Sequence, residues 1–294
     1  MKIAIYGSRR QYDYSDLLVR FLDELGARGC EVVMHRKLYT HLREIMPKAL
    51  APVRRVVDSP DFTADYAVSL GGDGTLLRTA MWLAGKPVPV VGVNTGHLGY
   101  LAALPVGCLP DLPAMLDRCG EVFRTEERGL IRVEASCIDT SRFWPYALNE
   151  VSVGKEENSS MITADVSIDG APLARYRADG LLVCTSTGST AYNLSIGGPI
   201  VQPTLDVRVI APIAAHSLSM RPLVVAGESR IDIVPGGRAS HVRLSLDGRS
   251  LSLETGTKIS LCAAPFKLSL MHLRKRSFAD TLRETLRWGA EGEM

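Results

Sequence analysis

The stretch Leu70-Gly71-Gly72-Asp73-Gly74-Thr75 constrains this chain more than any other, because a glycine run between two apolar patterns admits few backbone paths. The run Tyr66 to Leu70 reads as a buried strand, and Leu76, Leu77, Met81, Trp82 and Leu83 recur at helical spacing after it. The loop therefore joins a strand to a helix N-terminus. Gly71, Gly72 and Gly74 let the backbone take positive φ and approach a ligand closely, while free amides and the helix dipole favour an anion. Phosphate is the natural guest. A carboxylate in such a loop repels phosphate, so Asp73 makes most sense holding a metal ion or accepting a proton from an attacking hydroxyl. Taken alone, Gly-Gly-Asp-Gly is more simply a tight turn with an aspartate at a helix cap.

The chain has 294 residues, 46% of them hydrophobic, enough to bury a full core and to form two domains. Lys plus Arg number 34 against 32 Asp plus Glu, so the formal charge is +2, and no basic stripe points to nucleic acid. Cys30, Cys108, Cys119, Cys137, Cys184 and Cys262 form no C-x-x-C pairs, which indicates neither a zinc site nor a small disulfide framework. Reduced thiols in a cytosol are the simplest account. The apolar stretch Ile3 to Tyr6 is broken by Ser8-Arg9-Arg10, too soon for a signal peptide, and reads as the first strand. With no apolar run near the roughly 20 residues of a membrane helix, the expectation is a cytoplasmic protein without a membrane partner.

Short apolar runs alternate with helical stretches through the first part: Ile3 to Tyr6, Tyr14 to Gly26, Glu31 to Met34, Tyr66 to Leu70 and Val88 to Val93. Such alternation predicts parallel strands crossed by helices. Leu17, Leu18, Phe21, Leu22 and Leu25 form an apolar stripe that should face the core. Leu42 to Asp58, punctuated by Pro47 and Pro52, reads as a basic surface segment. From about Glu126 the texture changes to short β-rich runs with turn signals, as at Asp169-Gly170 and Asp247-Gly248. The fold class expected is an α/β N-terminal Rossmann-like domain plus an all-β C-terminal sandwich-like domain. The boundaries fall at 1–125 and 126–274, with a C-terminal helix in 275–294 carrying Phe278, Leu282, Leu286 and Trp288.

A second constellation runs from Arg177-Ala178-Asp179-Gly180 through Thr185-Ser186-Thr187-Gly188-Ser189-Thr190-Ala191-Tyr192 and repeats the grammar of strand followed by small-residue loop. Thr185, Ser186, Thr187, Ser189 and Thr190 can bond phosphate or ribose, and Tyr192 adds an aromatic face with a polar tip. Ser195-Ile196-Gly197-Gly198-Pro199 extends the loop with another glycine pair, which puts a functional reading ahead of a plain Ser/Thr turn. Asn149-Glu150, at a strand edge, can read a sugar hydroxyl pair and an adenine amino group, although both are also common surface residues.

In chain order these pieces closely resemble the NAD kinase family, which phosphorylates the 2′-hydroxyl of the adenosine ribose of NAD. The carriers are Gly71 to Thr75, Gly92-Val93-Asn94-Thr95-Gly96-His97-Leu98-Gly99-Tyr100-Leu101, Asn149-Glu150, Asp179 to Tyr192, Gly197-Gly198-Pro199 and Pro212 to Pro222 with His216-Ser217-Leu218. The resemblance implies that Asp73 accepts the proton of the ribose hydroxyl, with Gly72, Gly74 and Thr75 approaching the pyrophosphate or the transferred phosphoryl group. It implies that Asn149 and Glu150 read ribose and the nicotinamide-side nucleotide, with Arg177 and Asp179 nearby. It also implies that Thr187, Thr190, Ala191, Tyr192, Asn193 and Ser195 line the adenosine side, and that Ala214 forms a pocket wall. Arg78, one turn beyond Thr75, either meets phosphate charge or is simply solvated. NAD and ATP are the implied substrates, a divalent cation, Mg²⁺, accompanies ATP, and homodimers or homotetramers are the implied assemblies. No protein metal ligand is assigned, and Asn94 to His97 are expected to shape the site.

Two positions depart from the family pattern: Ser186 stands where many members have proline, and Arg249 stands after Asp247-Gly248 where many have glutamine. If Arg249 reaches the site, phosphate is its natural partner. A lipid kinase would share the first loop, but no basic amphipathic stretch for a membrane accompanies it. A non-enzymatic dinucleotide sensor would need no carboxylate at position 73.

Overall fold

The structure, a computed structural model, describes residues 1–7, 14–96, 99–102, 104–136, 138–156, 160–217 and 219–289; His97, Cys137, Leu218 and the Ser8 to Arg10 break lie outside them. The chain divides into two compact units, Met1–Glu127 with Leu268–Met294, and Arg128–Lys267.

In the first unit β1 (Lys2–Gly7), β2 (Glu31–His35), β3 (Val53–Val57), β4 (Tyr66–Leu70) and β5 (Val90–Asn94) form a parallel sheet in the order β3-β2-β1-β4-β5, with β6 (Leu104–Pro105) beside β5. This is the doubly wound order, in which the chain leaves β1 in opposite directions and opens a crevice between β1 and β4. Register places Tyr6 beside Ser69 and Gly7 beside Leu70, so the glycine loop leaves β4 at that switch point. Helices α1 (Ser15–Ala27), α2 (Arg36–Ile45) and α3 (Asp73–Leu83) supply the crossovers, with α4 (Leu112–Asp117) and α5 (Cys119–Val122) after β6. On α1, Leu18, Phe21, Leu22 and Leu25 are fully buried, at about 1.5–3 kcal/mol each, whereas Leu17 falls off this stripe and is half-buried.

The Leu42 to Asp58 segment is not merely a surface loop. It holds the end of α2, a 3₁₀ turn at Pro47–Leu50 and β3. Because β3 is an edge strand that exposes Arg54 and Arg55, it shows no apolar alternation in sequence.

Strands β7 (Phe123–Glu134), β8 (Tyr146–Ala147), β9 (Glu150–Lys155), β10 (Ile162–Ile168), β11 (Ala171–Ala178), β12 (Gly180–Thr185), β13 (Val207–Ile213), β14 (Leu223–Ala226), β15 (Ile231–Gly236), β16 (His241–Leu246), β17 (Arg249–Glu254) and β18 (Ile259–Leu273) follow. Residues of β7 and β18 belong to both units. Within the second unit an antiparallel sheet β14-β13-β12-β9-β16-β17 and an antiparallel layer β11-β10-β15-β18 share one core. Val153, Leu181, Val183 and Leu244 come from the first, and Ala164, Val166, Ile233 and Leu261 from the second. That is a sandwich, as expected. The short α6 (Tyr192–Ser195) leads out of the loop after β12, and α7 (Phe278–Leu286) starts at a Ser277/Asp280 capping box. Trp288 lies beyond α7 and is 59% exposed, so it is not a packing residue of that helix. The five cysteines among the described residues are free. Among those residues no helix is long and apolar enough to cross a membrane.

Candidate active site

Asp73 is the first residue of α3, with Gly72 as the N-cap. Its Oδ1 accepts the amides of Leu101 and Ala102, each at 3.0 Å, and its Oδ2 accepts that of Tyr100 at 2.9 Å. A carboxylate offers about four lone-pair sites, so among the described residues one position on Oδ2 has no partner. The chain after β5 turns back over the loop and aims three successive amides at one side chain. Gly72 and Gly74 are exposed, leaving the loop backbone approachable. Thr75 is buried; Arg78 donates Nη2 to its Oγ1 at 3.2 Å and also bonds Tyr6, so the guanidinium is tethered near the switch point rather than loosely solvated. Burial raises the Tyr6 hydroxyl above the usual phenol range, with Arg78 pulling the other way. The Tyr100 hydroxyl is raised by burial and then by the Asp73 charge, and has no hydrogen-bond partner among the described residues. Asn94 accepts the Gly96 amide at 2.7 Å and so shapes the turn after β5.

In the second unit the turn Asp247-Gly248 joins β16 to β17, with φ of 47° and 79°. Asp247 is half-buried under the start of β9, where it accepts the amides of Leu148 at 2.7 Å, Asn149 at 2.9 Å and Glu150 at 3.1 Å. Burial pushes the Glu150 carboxyl up to about 7, the Asp247 charge adds to this, and the Tyr192 amide opposes it. Glu150 Oε2, Asn149 Oδ1 and Asn193 Oδ1 are buried acceptors with no partner among the described residues. Unpaired buried acceptors are costly, and hydroxyl or amino donors of a ligand are of the chemistry that satisfies such atoms. Cys184, opposite Glu150 across β9 and β12, is pushed up to about 12 by burial and then by Glu150.

The hydroxyls of the second loop divide into two groups. Thr185 donates to Leu148 O at 2.6 Å, Ser186 bonds Leu205 O, and Ser189 bonds Ser186 O at 2.8 Å and Val201 O at 3.2 Å. The hydroxyls of Thr185, Ser186 and Ser189 are therefore engaged with the backbone carbonyls of Leu148, Leu205, Ser186 and Val201, where the sequence had offered them to phosphate or ribose. Burial turned them inward, because small polar side chains satisfy carbonyls that a tight turn leaves unpaired. Thr190 makes only a 3.4 Å contact to Thr187 O, while Tyr192 and Ser195 are exposed and Ala191 is half-exposed. Asn193 is fully buried, donating to Ser189 O at 3.1 Å and Pro199 O at 3.0 Å.

The structure brings Asn149, Glu150 and Thr187 to Ser195 together, since Thr185 N–H donates to Asn149 O at 2.9 Å and the Tyr192 amide reaches Glu150. Arg177, Asp179 and Ala214 form a separate group. Asp179 N–H donates to Ile213 O at 3.0 Å, His216 N–H donates to Arg177 O at 2.9 Å, and Asp179 pairs with Lys155 at 2.9 Å. Register puts Gly180 beside Gly154 and Cys184 beside Glu150, so this group lies at the other end of β12, about 13 Å away. Arg249 does not present a free cation. Its guanidinium donates to Trp144 O and Tyr146 O, each at 2.7 Å, and lies over the Phe143 and Trp144 rings.

That Asp247 would bond the amides of residues 148–150, Tyr6 the Arg78 side chain and Asp73 the amides of Tyr100 to Ala102 was not legible in the sequence. Asp-Gly is an ordinary hairpin turn in sequence, and backbone amides carry no residue signature. Among the described residues no cluster of three or more His, Cys, Asp or Glu could cage a metal ion.

A doubly wound sheet with a carboxylate-bearing glycine loop at its switch point, followed in the same chain by a β sandwich with buried unpaired acceptors, defines a nucleotide-handling protein of two units. The chain belongs to the ATP-NAD kinase family: residues 5–121 match the model of the N-terminal domain and residues 148–273 that of the C-terminal domain. It is 39% identical over 289 residues to an NAD kinase of Porphyromonas gingivalis, covering 98% of each chain. To an NAD kinase of Bacteroides fragilis it is 34% identical over 299 residues, covering 100% of each. Among solved structures, an Archaeoglobus fulgidus NAD kinase in complex with ATP superposes with a TM-score of 0.73 at 26% identity, over 97% of this chain and 99% of that one. A yeast NADH kinase complexed with NADH shares the fold, with a TM-score of 0.87 at 21% identity, over 100% of this chain and 89% of that one.

Proposed function

We propose that this protein transfers the terminal phosphoryl group of ATP to the 2′-hydroxyl of the adenosine ribose of NAD, giving NADP and ADP. The observation that carries the reading is the Asp73 carboxylate, fixed by three amides at the mouth of a glycine loop, with one Oδ2 position unpartnered among the described residues. In the reaction the ribose O2′ bonds to the γ-phosphorus, the bond from that phosphorus to the β-bridging oxygen breaks, and the hydroxyl proton passes to Asp73. The amides at the head of α3 and the tethered Arg78 meet phosphate charge. Asn149 and Glu150 offer acceptors to nucleotide donors, with Thr187, Thr190, Ala191, Tyr192, Asn193 and Ser195 around them.

Mg²⁺ enters with ATP, because the donor set that suits this ion is the triphosphate with water. When bound it offsets phosphate charge. A cytoplasmic homodimer or homotetramer is the form proposed. Leu223 and Val224, exposed on the edge strand β14, support self-association.

The test is to incubate purified protein with NAD, ATP and Mg²⁺ and measure NADP, with Asp73→Asn in parallel. The wild type should form NADP, and the variant should lose about 10²–10⁴ of kcat. No NADP from the wild type sinks the reading; a fully active variant removes Asp73 as the proton acceptor.

A further inference from the structure

Asp247 and residues 148–150 form a closed arrangement. The carboxylate accepts three consecutive amides, and the Asp247 amide donates back to Glu150 O at 3.1 Å. A two-residue hairpin turn with positive φ at both positions is served as well by Asn-Gly, without burying a charge. Partly desolvating a carboxylate is costly. What Asp has and Asn lacks is a second acceptor oxygen, and both oxygens are used: Oδ2 by Leu148, Oδ1 by Asn149 and Glu150.

We propose that Asp247 is a positioning residue: by clamping the amides of Leu148, Asn149 and Glu150 it fixes the direction in which Asn149 and Glu150 present their side chains to the dinucleotide. The inference rests on the kinase reading above. The two side chains so placed end in buried acceptors without partners, Asn149 Oδ1 and Glu150 Oε2, which only a fixed backbone can keep aimed at one ligand. The groups facing Glu150 are the Asp247 carboxylate from the β16–β17 turn, the Cys184 thiol from β12 and the Tyr192 amide from α6; Arg249, on β17, faces Asp247 in turn. Asp247 thus also disfavours the charged form of Glu150, being a like charge held beside it.

The experiment compares wild type with Asp247→Asn and Gly248→Ala, reading KM for NAD, kcat, melting temperature and the pH profile of kcat/KM. Glu150→Gln identifies the limb of the profile that belongs to Glu150. Asp247→Asn keeps a residue suited to the turn but removes one acceptor and the charge. KM for NAD should rise about tenfold with kcat little changed, and the Glu150 limb should move to lower pH. Gly248→Ala strains the same turn at φ 79° while keeping the carboxylate, so it should lower the melting temperature and leave the limb in place. An Asp247→Asn variant with wild-type KM and limb, or a Gly248→Ala variant that moves both as far, overturns the inference. Should Asp247→Asn not fold, Asp247→Gly, which suits positive φ, takes its place. Should the wild type make no NADP, the kinase reading fails, and NAD binding by calorimetry over the same pH series still decides the role of Asp247.

Discussion

Gly99 lies so close against Asp73 that a methyl group added to it would sit 2.6 Å from the carboxylate carbon. The approach exists because the chain must bring the amides of Tyr100, Leu101 and Ala102 onto the two carboxylate oxygens. Gly99→Ala should therefore displace the Asp73 carboxylate or withdraw the amides. A misplacement near 1 Å costs about 10²-fold in rate. Initial rates of NADP formation should fall by at least that factor, with a smaller change in KM. A variant of wild-type rate would mean that Asp73 works without its amide clamp.

Glu150 carries a pH dependence of stability whose sign follows from its environment. Its folded value is raised from 4.5 to about 7, so the folded state favours the protonated acid. The stabilisation is fully present below the unfolded value and is lost as pH rises through about 7. Glu150→Gln removes the ionisation and should be relatively more stable than wild type as pH climbs through that window. The gap should level off on the order of 3 kcal/mol above it. Urea denaturation of both proteins between pH 5 and 8, conditions chosen at about one-unit steps, measures the difference. A gap that stays constant across the range would place the titration elsewhere.

The sequence disclosed the parallel sheet because β1, β2, β4 and β5 are buried on both faces and read as apolar runs, and because the α1 stripe repeats at helical spacing. It disclosed the glycine loop because those residues stand for backbone geometry. It hid β3, whose arginines face solvent at an edge. The hydroxyl loop misled for a related reason: Ser186 and Ser189 carry the same signature whether they meet a ligand or a carbonyl. Arg249 could not be placed from its neighbours, because its partners, the carbonyls of Trp144 and Tyr146, lie 105 and 103 residues earlier.

Ser189 bridges two parts of the loop. Its single O–H lies within reach of Ser186 O at 2.8 Å and Val201 O at 3.2 Å, and its Oγ accepts Val201 N–H at 3.0 Å, in a fully buried position. Ser189→Ala takes the hydroxyl from Val201 N–H and Val201 O, while Ser186 O keeps the Ser189 amide at 3.3 Å, at a cost of about 1–3 kcal/mol. Differential scanning calorimetry should register a melting temperature lower by several degrees, with Km effects secondary to the loss of folded protein. Unchanged melting would require a water in place of the hydroxyl.

Arg249, on β17, holds one backbone segment, Trp144 to Tyr146, at two carbonyls with one planar group. Each arm of the guanidinium meets a different carbonyl, Trp144 O and Tyr146 O, and the aromatic rings of Phe143 and Trp144 cover its face. Lysine keeps the charge but cannot span both carbonyls, and glutamine loses the charge as well. Arg249→Lys and Arg249→Gln should each lower stability by about 1–3 kcal/mol in urea denaturation, glutamine the more so. The KM for ATP should hold near the wild-type value in both, since the guanidinium is consumed within the second unit. A large rise in KM for ATP with stability intact would instead mean that the arginine leaves its carbonyls to meet phosphate.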